Sequence, residues 1–104
     1  MAAPYNPPAK NEEFKIRIGV EDMSSPGSFR VNPTIAAGDF KVDIDGAGYN
    51  NLTTLPSVSP SGSTDILLSL SASEMNGDVI TVTGIDQTTP KEWADFKLSI
   101  PTTA

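Results

Sequence analysis

Apolar and polar residues alternate with period two at several places along the chain, the mark of half-buried strands. From Glu13 to Val20, Phe14, Ile16, Ile18 and Val20 interleave with Lys15, Arg17 and Gly19. From Asp39 to Asp45, Phe40, Val42 and Ile44 fall on one face, with Asp39, Lys41, Asp43 and Asp45 on the other. Asp45-Gly46-Ala47-Gly48 then predicts a hairpin loop in which glycine supplies positive φ, with Tyr49 to Leu52 as the return strand. Asp65 to Ser71 predicts a further strand with Ile66, Leu68 and Leu70 inward and Leu67 a partial exception. Asp78 to Asp86 is rich in Val, Ile and Thr without clean alternation, which predicts a central strand buried on both sides. The last strand is expected over Glu92 to Ile100, with Ala94, Phe96, Leu98 and Ile100 inward and Pro101 ending it.

The segments between carry turn chemistry. Ser24-Ser25-Pro26-Gly27 is a turn, and Ser28 to Val31 is either a short strand or an extended loop before Asn32-Pro33. Thr54 to Ser63, rich in Pro, Ser and Gly, is expected to cross between sheets. Ser71 to Asp78 fits one short helical turn, capped by Ser71 or Ser73 and closed by Gly77 in a left-handed conformation. The sum is about seven short strands with turns every ten or so residues and no long helix, which predicts a two-sheet antiparallel sandwich. Residues 1–12, with their prolines, are expected to form an extended arm, and residues 13–104 the sandwich domain.

Composition narrows the function. The 104 residues suit one domain, and the charge of −6 disfavours nucleic acid and anionic membranes, since phosphate binding needs clustered Lys and Arg. Neither cysteine nor histidine occurs. That removes disulfides, Cys/His zinc sites, thiol nucleophiles and every Ser-His-Asp triad, so no enzyme activity and no cofactor are expected. The start of the chain has no basic region followed by an apolar one, and no apolar run is long enough to span a bilayer, so folding in a cytoplasm is the expectation.

Each remaining candidate has an ordinary structural explanation beside it. Asp43-Ile44-Asp45-Gly46-Ala47-Gly48-Tyr49 begins like a calcium loop, but Ala47 takes the third acidic position and Thr54 the twelfth, which favours a plain hairpin turn. Glu74, Asp78 and Asp86 are the carboxylates open to acid–base work; Glu74 and Asp78 fit better as corner-stabilising acceptors. Ser57, Ser59, Ser61 and Ser63 have no histidine to act as base. Trp93 is out of phase with Ala94 and Phe96, so it either packs across the sandwich edge, the commoner case, or stands out as an aromatic interface anchor. Tyr5, with Pro7 and Pro8 beside it, has no core to join and is either a loose terminus or a docking arm.

From Thr34 onward, about two thirds of the chain resembles small proteins and modules of tailed bacteriophages. The matching stretches are Gly38-Asp39-Phe40-Lys41-Val42-Asp43-Ile44-Asp45-Gly46, Asn51-Leu52-Thr53-Thr54-Leu55-Pro56, Leu70-Ser71-Ala72-Ser73-Glu74-Met75-Asn76-Gly77-Asp78 and Glu92-Trp93-Ala94-Asp95. These are turn and strand-corner signatures, and the resemblance stops short of the arm before Phe14. It implies an all-β, immunoglobulin-like domain and the role of a virion structural protein. The expectation is a capsid decoration protein or an attachment module of neck, tail or fibre, present in multiple copies. Its partners would be other virion subunits, met through the arm, exposed edge strands and the candidate interface residues Tyr5, Pro7, Pro8 and Trp93. A carbohydrate- or cell-surface-binding adhesin module is the alternative, weakened by an aromatic content of 7%.

Overall fold

The computed structural model describes residues 8–103. Among the described residues seven strands form: β1 (Phe14–Ile18), β2 (Phe40–Ile44), β3 (Tyr49–Asn51), β4 (Ser57–Val58), β5 (Ile66–Leu70), β6 (Val79–Gly84) and β7 (Phe96–Pro101). They make two antiparallel sheets, one ordered β1-β5-β4 and the other β3-β2-β6-β7. The alternation sets the register, because a one-residue slip would turn every apolar side chain to the wrong face. Thus Phe14, Ile16 and Ile18 lie opposite Leu70, Leu68 and Ile66, and Phe40, Val42 and Ile44 lie opposite Gly84, Val82 and Ile80. The inward rows of both sheets meet in one core that includes Phe40, Val42, Ile66, Leu68, Leu70, Met75, Ile80, Val82, Trp93 and Ile100. The chain is an all-β sandwich.

Seven strands are observed, as expected, but one of them differs. Ser28 to Val31 is loop, tied by an isolated bridge between Glu21 and Phe29, while the serine-rich crossover supplies the two-residue β4 at the edge of β5. β6 is central, between β2 and β7, yet only one of its faces is fully buried. Ile80, Val82 and Gly84 point inward, while Thr81 and Thr83 are half-buried and Val79 is exposed. The alternation was hidden by valine and threonine having the same β-branched outline on an outer face.

Two further expectations change for geometric reasons. The helical turn at Ser71 forms: Met75 N–H donates to the Ser71 carbonyl at 3.0 Å, four residues back. Gly77, however, does not take a positive φ; a Cβ there would lie 2.5 Å from Ile44 Cγ2, so close approach rather than handedness requires glycine. The last strand begins at Phe96, leaving Trp93 in an irregular approach fixed by a bridge to Asp22. The alternation of β7 therefore does not govern Trp93, which is 0% exposed and is not an exposed anchor.

Trp93 is the centre of the core. Its ring stacks on Phe40 with centroids 5.4 Å apart and planes 21° from parallel, and its Nε1–H donates to the Thr34 carbonyl at 3.2 Å. Phe40 in turn covers Gly84 on the neighbouring strand, where a Cβ would fall 2.6 Å from the ring. Because Trp93 blocks the ring from swinging aside, Gly84→Val should cost about 1–3 kcal/mol through overpacking. A urea midpoint unchanged from the parent chain would show that the ring is free to move.

Candidate interaction surface

Backbone hydrogen bonds fasten the start of the described chain to the end of β7. Lys10 N–H donates to the Thr103 carbonyl at 2.7 Å, Thr103 N–H to the Pro8 carbonyl at 3.0 Å, and Ala9 pairs with Thr103 in parallel. Asn11 N–H reaches the Met75 carbonyl at 3.0 Å. Lys10 Nζ donates to Asp78 Oδ1 at 2.6 Å. That hydrogen bond, then the charge of the partner, holds the Asp78 carboxyl below its ordinary range and the Lys10 ammonium above its own. The segment from Pro8 to Asn11 is thus a strap bound to the sandwich. Tyr5 and Pro7 lie outside the described residues, and Pro8 is half-buried within the strap.

The acidic side chains mostly hold loops. Glu21, Asp22, Asp39, Asp43, Asp45, Glu74, Asp86 and Glu92 each accept a hydrogen bond from a backbone N–H. Ser71 and Glu74 form a reciprocal cap: Glu74 N–H donates to Ser71 Oγ at 3.2 Å, and Ser71 N–H to Glu74 Oε1 at 2.9 Å. The other Glu74 oxygen accepts from Thr53 N–H at 3.0 Å, pinning the crossover to the turn. Asp43 accepts from Gly46 and Gly48 within the hairpin, and Asp45 from Asp78 and Val79. Those two carboxylates are directed at backbone donors, and among the described residues no cluster of three potential metal ligands occurs.

Asp86 organises the loop that delivers Trp93. It is 1% exposed and accepts from Thr88 N–H at 2.9 Å and from Glu92 N–H at 2.7 Å. Burial pushes its carboxyl up, but the backbone donors outweigh burial and hold it below the ordinary range. A general acid needs the opposite shift. Asp39, equally buried, accepts from Ala36 and Gln87 N–H and ties the two long loops together. The arrangement suits rigid loops.

A groove of about 270 Å³ opens between the β2–β3 hairpin and the Ser71 turn, lined in part by Val42, Ile44, Asn50, Thr53, Ser73 and Glu74. Nothing in the sequence pattern marks Asn50 or Ser73 as neighbours across a groove, because only tertiary packing brings the hairpin beside the turn. Apolar residues such as Met23, Phe29, Val31 and Leu55 are exposed on the loops; Phe29 lies over Gly19, where a Cβ would be 2.7 Å from its ring. No family model, curated protein or solved structure matches this chain.

Proposed function

We propose that this chain is a non-enzymatic structural and interaction protein of a tailed-phage virion, serving as capsid decoration or as an attachment module of neck, tail or fibre. The observation that carries the non-enzymatic part is the commitment of its carboxylates. Buried Asp39, Glu74 and Asp86 each bind two backbone N–H groups of the loops and turns around them, which leaves them as structural pins. A rigid body with open strand edges works as a spacer whose contacts are made by backbone and by surface side chains.

The immunoglobulin-like part of the proposal is supported by strand order. With the first strand reduced to the strap beside β7, β1-β5-β4 over β3-β2-β6-β7 corresponds to the two sheets of such a sandwich. The buried tryptophan precedes the last strand here, instead of lying on the third, and no cysteine pair joins the sheets. A sugar-binding adhesin remains the second reading, favoured by the groove with Asn50, Thr53 and Ser73 on its walls.

Sedimentation with undecorated phage particles separates the two. The intact chain is expected to co-sediment, and a chain lacking Met1 to Lys10 to do so more weakly if the arm is the tether. Failure of both to bind, together with glycan-array binding abolished by Asn50→Ala, would establish the adhesin instead.

A further inference from the structure

One flank of the sandwich is built as a receiving edge. β1 is the terminal strand of its sheet, and among the described residues the only backbone hydrogen bonds of residues 14–18 are those to β5. β1 and β7 each end their own sheet, and the chain ties the two at both ends of that flank. Lys10 N–H donates to the Thr103 carbonyl beyond one end of β7, and Ala94 N–H donates to the Glu21 carbonyl beyond the other. Between those ties the inward side chains Phe14, Ile16, Ile18, Phe96 and Leu98 are only half-buried, whereas the equivalent rows of β5 and β6 are buried completely. A row of half-buried apolar side chains thus lies beside a strand edge that no other described residue pairs.

Three of the outward side chains on this flank are basic in an otherwise acidic protein. Lys15 and Arg17 project from β1 and Lys97 from β7, all exposed. Among the described residues Arg17 and Lys97 have no ion-pair partner, and Lys15 has only Glu13 at 4.0 Å. Those charges disfavour a second copy of this chain paired about the middle of β1. Antiparallel pairing of two β1 strands about Ile16 would set Lys15 opposite Arg17 of the other copy, and pairing with β7 would set one of them against Lys97. Like charges directly opposite destabilise a strand pair.

We propose that the β1 edge receives an extended segment of a different polypeptide, one that alternates apolar and acidic residues. Its backbone extends the β1-β5-β4 sheet, its apolar side chains cover the Phe14, Ile16 and Ile18 row, and its carboxylates meet Lys15 and Arg17. This rests on the interaction-module reading and names where and to what chemistry the module binds.

The test uses the intact chain and a capped, fluorescent peptide of alternating valine and glutamate. Polarisation should report saturable binding, weakened about tenfold or more by the paired change Lys15→Glu and Arg17→Glu. Both residues are exposed, so the variant should keep the parent urea midpoint; a valine–lysine peptide should then bind the variant better than the parent. Amide exchange gives the location: β1 N–H groups pointing away from β5 exchange fast in the free chain and slow on peptide binding. Equal binding of the peptide to parent and variant, β1 amides already protected in the free chain, or a dimer joined through β1 would each overturn the proposal. Particle binding that survives the paired charge reversal would remove the β1 edge and leave the virion reading standing. Peptide binding without particle binding would do the reverse.

Discussion

Trp93→Ala is expected to remove about 3–5 kcal/mol of folding stability, a large share of the roughly 5–15 kcal/mol that holds a domain together. The side chain is fully buried and stacks on Phe40, so alanine leaves a cavity in the core between the two sheets. It also strips the Thr34 carbonyl of its indole donor. Trp93→Phe keeps an aromatic against Phe40 but not the hydrogen bond, and should lose about 1–2 kcal/mol. Urea titration followed by circular dichroism measures both, since the variants lack the only tryptophan. An unchanged midpoint for Trp93→Ala, with binding lost, would return this residue to the role of surface anchor.

Asp86→Ala should cost about 2–4 kcal/mol, because it leaves the N–H groups of Thr88 and Glu92 without an acceptor in a closed loop. Asp86→Asn retains one acceptor oxygen and should fall between that variant and the parent. The effect depends on pH in a definite direction. The folded carboxyl titrates below the ordinary range, so its contribution is complete above the unfolded value of about 3.9 and is lost as pH falls through the lower folded value. Parent and Asp86→Ala chains should therefore differ most near neutral pH and converge in acid. A difference that grew on acidification would mean that Asp86 is protonated in the folded state.

Strands with strict alternation were legible in the sequence. Phe14 to Ile18, Phe40 to Ile44 and Ile66 to Leu70 lie where period two places them, because one face of each is covered by the other sheet. The β2–β3 hairpin also follows from its residues, with Asp45, Gly46 and Gly48 all at positive φ. Ser57–Val58 was not legible: a two-residue strand exists only because β5 offers it an edge. For Trp93 the favoured reading, packing, holds, although alternation carried back three residues before the start of β7 would have put it on the outer face.

The surface was less legible than the core. Glu74 could be assigned to a corner from the Ser71-Ala72-Ser73-Glu74 spacing, which is that of a capping box. The pairings of Asp39 with Gln87 and of Asp45 with Val79 join segments far apart in the chain, and no local pattern announces them. The same holds for the β1 edge, where Phe14, Ile16 and Ile18 read from sequence as ordinary core positions. Their half-burial emerges only when β1 proves to be the terminal strand of its sheet.

Hydrogen–deuterium exchange on the chain free and bound to phage particles tests the central claim, a rigid sandwich that works by offering a strand edge. Protection gained on binding should centre on Phe14–Ile18, with the Asn50–Glu74 groove and the loops held by Asp39 and Asp86 unchanged. Protection confined to the groove, with β1 exchanging as in the free chain, would contradict it.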